Sequence, residues 1–160
     1  MAKTTDHYLS QGFDNPYQWA RFKDVPFTPL KKPLADSRVA LITTAAPYQP
    51  DKGDQGPGAP YNNDAKFKHI YTHPSELIPD VRISHIGYDR NNADIDDQRV
   101  YFPLERLHEI QETGRFGSVG PRLYGAPTLR SQRMTSERNA PEILSMCRDD
   151  EIDVALLVAV

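Results

Sequence analysis

Residues 153–160, DVALLVAV, decide the fold. Seven apolar residues follow Asp153 without a polar break, far short of the roughly 18 that a membrane span needs. A short run of this kind, rich in valine, reads as a β-strand covered on both faces, as in parallel sheets. Residues 38–44, RVALITT, repeat the signal, with Val39, Leu41 and Thr43 on one face and Ala40, Ile42 and Thr44 on the other. Two such strands with helical patterns between them predict an α/β fold, an open, mostly parallel sheet with flanking helices. A central strand of such a sheet normally feeds a loop and a covering helix. Nothing in the sequence follows Val160, so either a closing C-terminal strand or a domain incomplete at its C-terminus fits the pattern; in the second case the free chain is expected to expose the apolar strand and to associate.

Working inward, the spacing of Leu104, Leu107 and Ile110, with Pro103 in the first turn and Gly114 at the end, predicts a helix over 101–114. A second helix is expected over 141–147 with Asn139 as its cap, and residues 130–139 are read as polar and mobile. Short strands are expected over 67–72 and 81–84, and an extended turn over 116–121. Residues 46–64 hold four prolines and three glycines and almost nothing aliphatic, so they are expected to form a mobile loop or lid without packed elements. Ahead of the first strand, NPYQWARF (15–22) reads as a docking turn, and Pro26, Pro29 and Pro33 exclude regular structure. The chain thus divides into an arm and proline-rich lead-in, 1–37, and an α/β domain, 38–160.

Composition narrows the function classes. A net charge of −3 and a pI near 5.9 exclude a broad electrostatic footprint for nucleic acid. The single Cys147 permits neither an internal disulfide nor a multi-cysteine zinc site. The start of the chain is polar and lacks the apolar core of a secretory signal, so a cytoplasmic protein with no membrane partner is expected.

The densest polar stretch is SHIGYDRNNADIDDQRVYFP (84–103), with Ser84, His85, Tyr88, Asp89, Asp94, Asp96 and Asp97. A histidine among carboxylates suits general acid or base work, or a divalent cation as in a metal-dependent hydrolase. The stretch lacks the glycine and closing glutamate of a calcium loop, and aspartates in such loops ordinarily form turns and helix caps. His69 and His73 lie four apart without a third ligand, and His108 reads as a helix-surface residue. Cys147, on an apolar helical face, reads as a buried and inert thiol. The glycine-rich pieces GDQGPG and GRFGSVG match neither phosphate-loop fingerprint.

Taken in order, WARF, KPLADSRVALITTA, SHIGYDRNNADIDDQRVYFPLERLHEIQETGRFGSVGPRLYG and APEILSMCRDDEIDVALLVAV resemble the selenoprotein B family of glycine, sarcosine, betaine and proline reductases, from Trp19 to Val160. The resemblance implies an oxidoreductase of reductive amino-acid cleavage, in which a selenolate or thiolate displaces the amino group of a substrate and dithiol carriers supply electrons. It implies other reductase subunits and thiol/disulfide carriers as partners and a small amino-acid-like substrate. It places the redox residue, selenocysteine or cysteine, directly after Val160, so no catalytic nucleophile and no bound cofactor or metal is expected within the 160 residues, and a UGA codon is expected next. The substrate-side wall it implies consists of Thr43, Thr44, Ser84, His85, Tyr88, Asp89 and Asp94. His85 and Asp89 would place or protonate a leaving group; Thr43, Thr44 and Tyr88 would orient a carboxylate. A non-catalytic α/β binding or interaction module, with 46–64 and 84–103 as contact surfaces, is the alternative.

Overall fold

The computed structural model describes residues 5–6, 9–10, 12, 23–25, 28–55, 59, 62–83, 92–127 and 131–160. Strand β1, Arg38–Thr43, forms the centre of the main sheet and is buried over most of its length, as its two apolar faces require. A two-residue strand, β2 (Ala46–Pro47), follows. Next come β3 (Tyr71–Pro74), β4 (Val81–Arg82), β5 (Ser118–Val119), β6 (Arg122–Gly125) and β7 (Val154–Val158). On one side β1 pairs in parallel with β7, from Val39 opposite Val154 to Thr43 opposite Val158. Its other side is shared in parallel by β5 at the start and β6 at the end, and Gly120 N–H donates to the Val39 carbonyl at 2.8 Å across the break between them. Strand β3 closes that side of the sheet, antiparallel to β6, and β2 and β4 form a separate antiparallel ladder.

Helices cover the two faces. A turn, α1 (Gln98–Tyr101), leads into α2 (Leu104–Glu112), whose Leu104 and Leu107 share a face at i, i+3 and pack with Tyr101, Phe102 and Phe116 beside Val39, Leu41 and Leu123. Gly114 closes α2 at φ +73°, in the left-handed region that glycine enters freely. Beyond β6, a turn α3 (Gln132–Met134) and a π-helical turn (Thr135–Asn139) run into α4 (Ala140–Asp149). Ile143 and Cys147 of α4 sit at i, i+4 and bury against Ala40 and Tyr124 on the opposite face. The α/β class and the mostly parallel sheet expected from the sequence are therefore present.

Four local expectations are corrected. Residues 132–139 are helical, because Ser131 Oγ accepts from Met134 N–H at 3.3 Å and starts the helix eight residues early. Asn139 is thus an internal helical residue, with φ −68°, and not a cap. Residues 46–64 carry packed pieces: β2, two 3₁₀ turns (Pro50–Lys52 and Asn63–Ala65), and a clasp of side-chain amides. In it Gln55, 8% exposed, accepts from Gln49 N–H at 3.0 Å and donates to the Gly53 carbonyl at 3.2 Å, while Gln49 Nε2 donates to the Ala65 carbonyl at 3.0 Å. Amides thus replace the missing aliphatic core. Finally, β7 is not covered on both faces: Leu156 is 38% and Leu157 73% exposed, and β1 is its only strand partner among the described residues. An apolar run signals a strand that gains from cover; it carries no information on whether a neighbour supplies it. Among the described residues, no helix is long and apolar enough to cross a membrane.

Candidate functional site

In an open parallel sheet, chemistry gathers beyond the carboxyl ends of the strands. Here the ends of β1, β6 and β7 converge, and hydroxyl groups knit them together. Thr43 is 1% exposed, and its Oγ1 accepts from Ala45 N–H at 3.0 Å, so it turns the chain out of β1 and presents nothing to a ligand. Thr44 donates its own N–H to the Val158 carbonyl at 3.3 Å. Its Oγ1 then accepts from Val160 N–H at 2.9 Å and donates to the Val160 carbonyl at 3.0 Å. One hydroxyl, donor and acceptor at once, stands in for a sheet partner and holds both polar groups of Val160.

Tyr71 roofs this edge. Its hydroxyl donates to the Ala45 carbonyl at 2.6 Å, and burial pushes its pKa well above the ordinary phenol value, so it acts as a fixed neutral donor. Its ring lies against Gly125, where a Cβ would come within 1.8 Å of the ring, and Phe67 meets it edge-on at 5.3 Å. Glycine at 125 is therefore a packing requirement. Beside the edge, a cavity of about 10 Å³, room for about one water molecule, is lined by Ala46, Asp54, Gln55, Asn62, Arg82 and Ile83. The Arg82 guanidinium pairs with Asp80 and lies 5.0 Å from the Tyr48 ring centre, while its buried Nε has no partner among the described residues.

Of the residues expected to line the site, Thr43 and Thr44 lie at the carboxyl end of β1, both hydroxyls engaged in main-chain bonds. Ser84, His85, Tyr88 and Asp89 lie outside the described residues. Asp94 Oδ1 accepts from Asp96 N–H at 3.0 Å, a local turn. Asp97 caps α1 through Arg99 N–H at 3.0 Å and pairs with the Arg99 side chain, which holds its carboxyl below the usual range. The reading of aspartates as turn and cap residues holds for these two. His69 is exposed against Phe67, and His73 Nδ1 donates to the adjacent Pro74 carbonyl at 2.9 Å. No group of three or more His, Cys, Asp or Glu set to hold a metal occurs among the described residues. His108 is corrected: it is half-buried, and its Nε2 donates to the Ser75 carbonyl at 2.8 Å, tying α2 to the turn after β3.

The opposite edge carries a charged network that sequence reading missed. Asp150, the last residue capping α4, accepts from Arg122 Nε at 2.5 Å and from the Tyr124 hydroxyl. Burial raises the Asp150 pKa, but those bonds outweigh it and hold the carboxyl below its usual range. Arg38 donates to the Asp150 carbonyl at 2.7 Å, and Asp153 accepts from Arg38 N–H at 2.8 Å and pairs with Lys32 at 2.7 Å. Cys147 lies within this cluster, 7% exposed, its thiol pushed up by burial although a hydrogen bond with Tyr124 opposes the shift; it is unsuited to nucleophilic work.

A family model described as glycine/sarcosine/betaine reductase selenoprotein B matches residues 6–160. No curated protein and no solved structure matches the chain.

Proposed function

From a match that spans residues 6–160 the chain belongs to the glycine/sarcosine/betaine reductase selenoprotein B family, and on that premise we propose that it forms the substrate-side wall of a reductive amino-acid cleavage centre whose selenol or thiol nucleophile follows Val160. The observation that carries the reading is the Thr44 clamp, with bonds of 2.9 and 3.0 Å to Val160 at the carboxyl edge of the parallel strands. A residue following Val160 would leave that edge from a main chain already held at both polar groups. A reactive group benefits from such a fixed origin, because misplacement of about 1 Å costs orders of magnitude in rate. Cys147 does not compete for the role, being buried with a raised pKa.

In this reading the substrate is a small amino-acid-like molecule, and Ser84, His85, Tyr88 and Asp89 are the residues that contact it. His85 and Asp89 handle the proton of the leaving amine and Tyr88 positions a carboxylate, while Thr44 holds Val160 and Thr43 and Asp94 shape local turns. The selenolate or thiolate attacks the substrate carbon, the C–N bond breaks, and the amine departs with a proton from the acid. A dithiol carrier then reduces the carbon–selenium or carbon–sulfur bond, the carbon leaving with a C–H bond and the selenol or thiol being restored as the dithiol becomes a disulfide. Residues 1–37 serve as an arm towards other reductase subunits, residues 38–160 as the domain, and the complex works in the cytoplasm.

The test has two steps. The codon after 160 is expected to be UGA in an open frame, and native protein to weigh more than 18.1 kDa and carry selenium. That longer product, supplied with its partner subunits and a dithiol, is expected to release the amine from glycine, sarcosine or betaine. A native mass of 18.1 kDa without selenium or added thiol overturns the proposal. It favours instead a binding module, a reading supported by the engagement of both threonine hydroxyls in main-chain bonds.

A further inference from the structure

The Nε–H of Arg82 is buried and has no hydrogen-bond partner among the described residues. Buried donors are nearly always satisfied in native proteins, so one left open on a guanidinium calls for an acceptor. The remainder of the group is committed: Nη2 donates to Asp80 Oδ2 at 3.0 Å, and Nη1 donates to Asp80 Oδ1 and to the Val81 carbonyl, the latter at 3.3 Å. Arg82 pairs with Ala46 across the β2–β4 ladder, two positions beyond Thr44, and so stands beside the carboxyl edge of the main sheet. The cavity of about 10 Å³ that it lines has other polar walls, but their amides are spent. Gln55 accepts from Gln49 N–H at 3.0 Å and donates to the Gly53 carbonyl at 3.2 Å. Asn62 accepts from Asp64 N–H at 3.0 Å and donates to the Lys52 carbonyl at 2.7 Å.

A water molecule in this space would have two hydrogens to place among oxygens that already accept. An ionised carboxylate oxygen has none to place, and one such oxygen takes up about the room of one water. We infer that the cavity receives one oxygen of the carboxylate of a small substrate, with Arg82 Nε–H as its donor. The choice of ligand rests on the reductase chemistry proposed above. Glycine, sarcosine and betaine, the compounds for which the family is described, differ at nitrogen and share the carboxylate. Arg82 is then a common handle, and discrimination between them falls to other residues. The second carboxylate oxygen stays outside the cavity and is left for Tyr88. Asp80 already neutralises the guanidinium, and Asp54, exposed at the cavity wall, repels an anion. The contact therefore orients the carboxylate more than it attracts it, and the affinity is expected to be weak.

The probe is acetate, which carries the carboxylate alone, and the readout is the magnetic resonance signal of Arg82 Nε–H in the 160-residue chain. Acetate, glycine and betaine are expected to shift it saturably. Acetamide, the uncharged analogue, is expected to bind at least about tenfold more weakly, because its oxygen cannot make a bond assisted by charge on both sides. Arg82→Lys keeps a positive charge beside Asp80 and removes the donor at Nε, and the same loss is expected. Asp54→Asn is expected to strengthen acetate binding about twofold to fivefold. In the unaltered chain, no saturable shift, a bound water that acetate does not displace, or equal affinity for acetate and acetamide overturns the inference, whatever the variants do. Two further outcomes separate it from the reductase reading. Acetate bound at Arg82 in a complete reductase that releases no amine upholds this inference and overturns that reading. Amine release with a KM for glycine that Arg82→Lys leaves unchanged overturns the inference alone.

Discussion

The two ends of the parallel strands are closed by different chemistry. At the amino edge Arg38, Arg122, Asp150, Asp153 and Lys32 form an interlocked set of ions and charge-assisted hydrogen bonds. At the carboxyl edge no ion pair crosses between β1, β6 and β7 among the described residues; Thr43, Thr44 and Tyr71 hold main-chain groups through neutral hydroxyls. Charge-assisted bonds are about twice as strong as neutral ones, so the amino edge anchors the sheet. The carboxyl edge is held by weaker neutral bonds, so its closure depends on packing as well as on hydrogen bonding.

The comparison breaks most severely at Gly125. Gly125→Ala drives a methyl group into the Tyr71 ring, at 1.8 Å from its Cε1, and the ring cannot retreat without losing its 2.6 Å bond to Ala45. A loss of about 3 kcal/mol is expected, the upper range for overpacking, read by urea denaturation. Tyr71→Phe in the same background is expected to recover little, because the clash is with the ring, whereas Tyr71→Ala is expected to relieve it. If Gly125→Ala is neutral, the carboxyl edge is not closed by this contact.

The amino edge is tested by Asp150→Asn, which leaves Arg122 and Tyr124 without their ionised acceptor. A cost of about 2 kcal/mol is expected near neutral pH. Since the folded pKa of Asp150 is depressed, its contribution is present above the unfolded value near 4 and is lost as pH falls through the lower folded value. The stability gap between native chain and variant is therefore expected to be constant above about pH 5 and to shrink on acidification. A gap that widens in acid contradicts the network. At the carboxyl edge, Thr44→Val removes both bonds to Val160 at a cost of about 1–2 kcal/mol, insensitive to pH over the same range, with faster exchange of the Val160 amide; Thr44→Ser is expected to retain both.

The difference between the edges also explains what could be read in advance. Strands β1 and β7 declare themselves by local apolar runs, and α2 by its leucine spacing, because those signals lie within one element. That Thr43 and Thr44 close β1 at its carboxyl end was legible for the same reason: they end a strand. Which atoms they bind was not legible, since the Thr44 and Val160 pair is separated by 116 positions. Tyr71 and Asp150 were missed outright; each meets its partner 26 positions away, and nothing local distinguishes Tyr71 from a surface tyrosine or Asp150 from the acidic residues around it. The helix over 132–139 escaped because its side chains are mostly exposed, so it lacks the apolar stripe on which periodicity depends.

The smallest expected effect sharpens the account of the amino edge, and its sign is opposite. Helix α4 ends in a closed motif: Ile152 N–H donates to the Cys147 carbonyl at 2.8 Å and Glu151 N–H to the Arg148 carbonyl at 3.0 Å. That geometry requires Glu151 at φ +54°, a region costing a non-glycine residue about 1 kcal/mol. Its carboxylate offers little in return, since it stands 3.5 Å from Arg38 and its side chain is 83% exposed. Arg38 keeps its stronger bonds, to the Asp150 carbonyl and Asp153, without it. Glu151→Gly removes the backbone strain but also frees the unfolded chain, which returns part of the gain. The net expectation is a stabilisation of about 0.5–1 kcal/mol, measured as a rise in the urea midpoint with the slope unchanged. A destabilised variant would mean that the Glu151 charge holds the amino edge more firmly than an exposed 3.5 Å pair can, and that the network extends to the helix end and beyond Asp150.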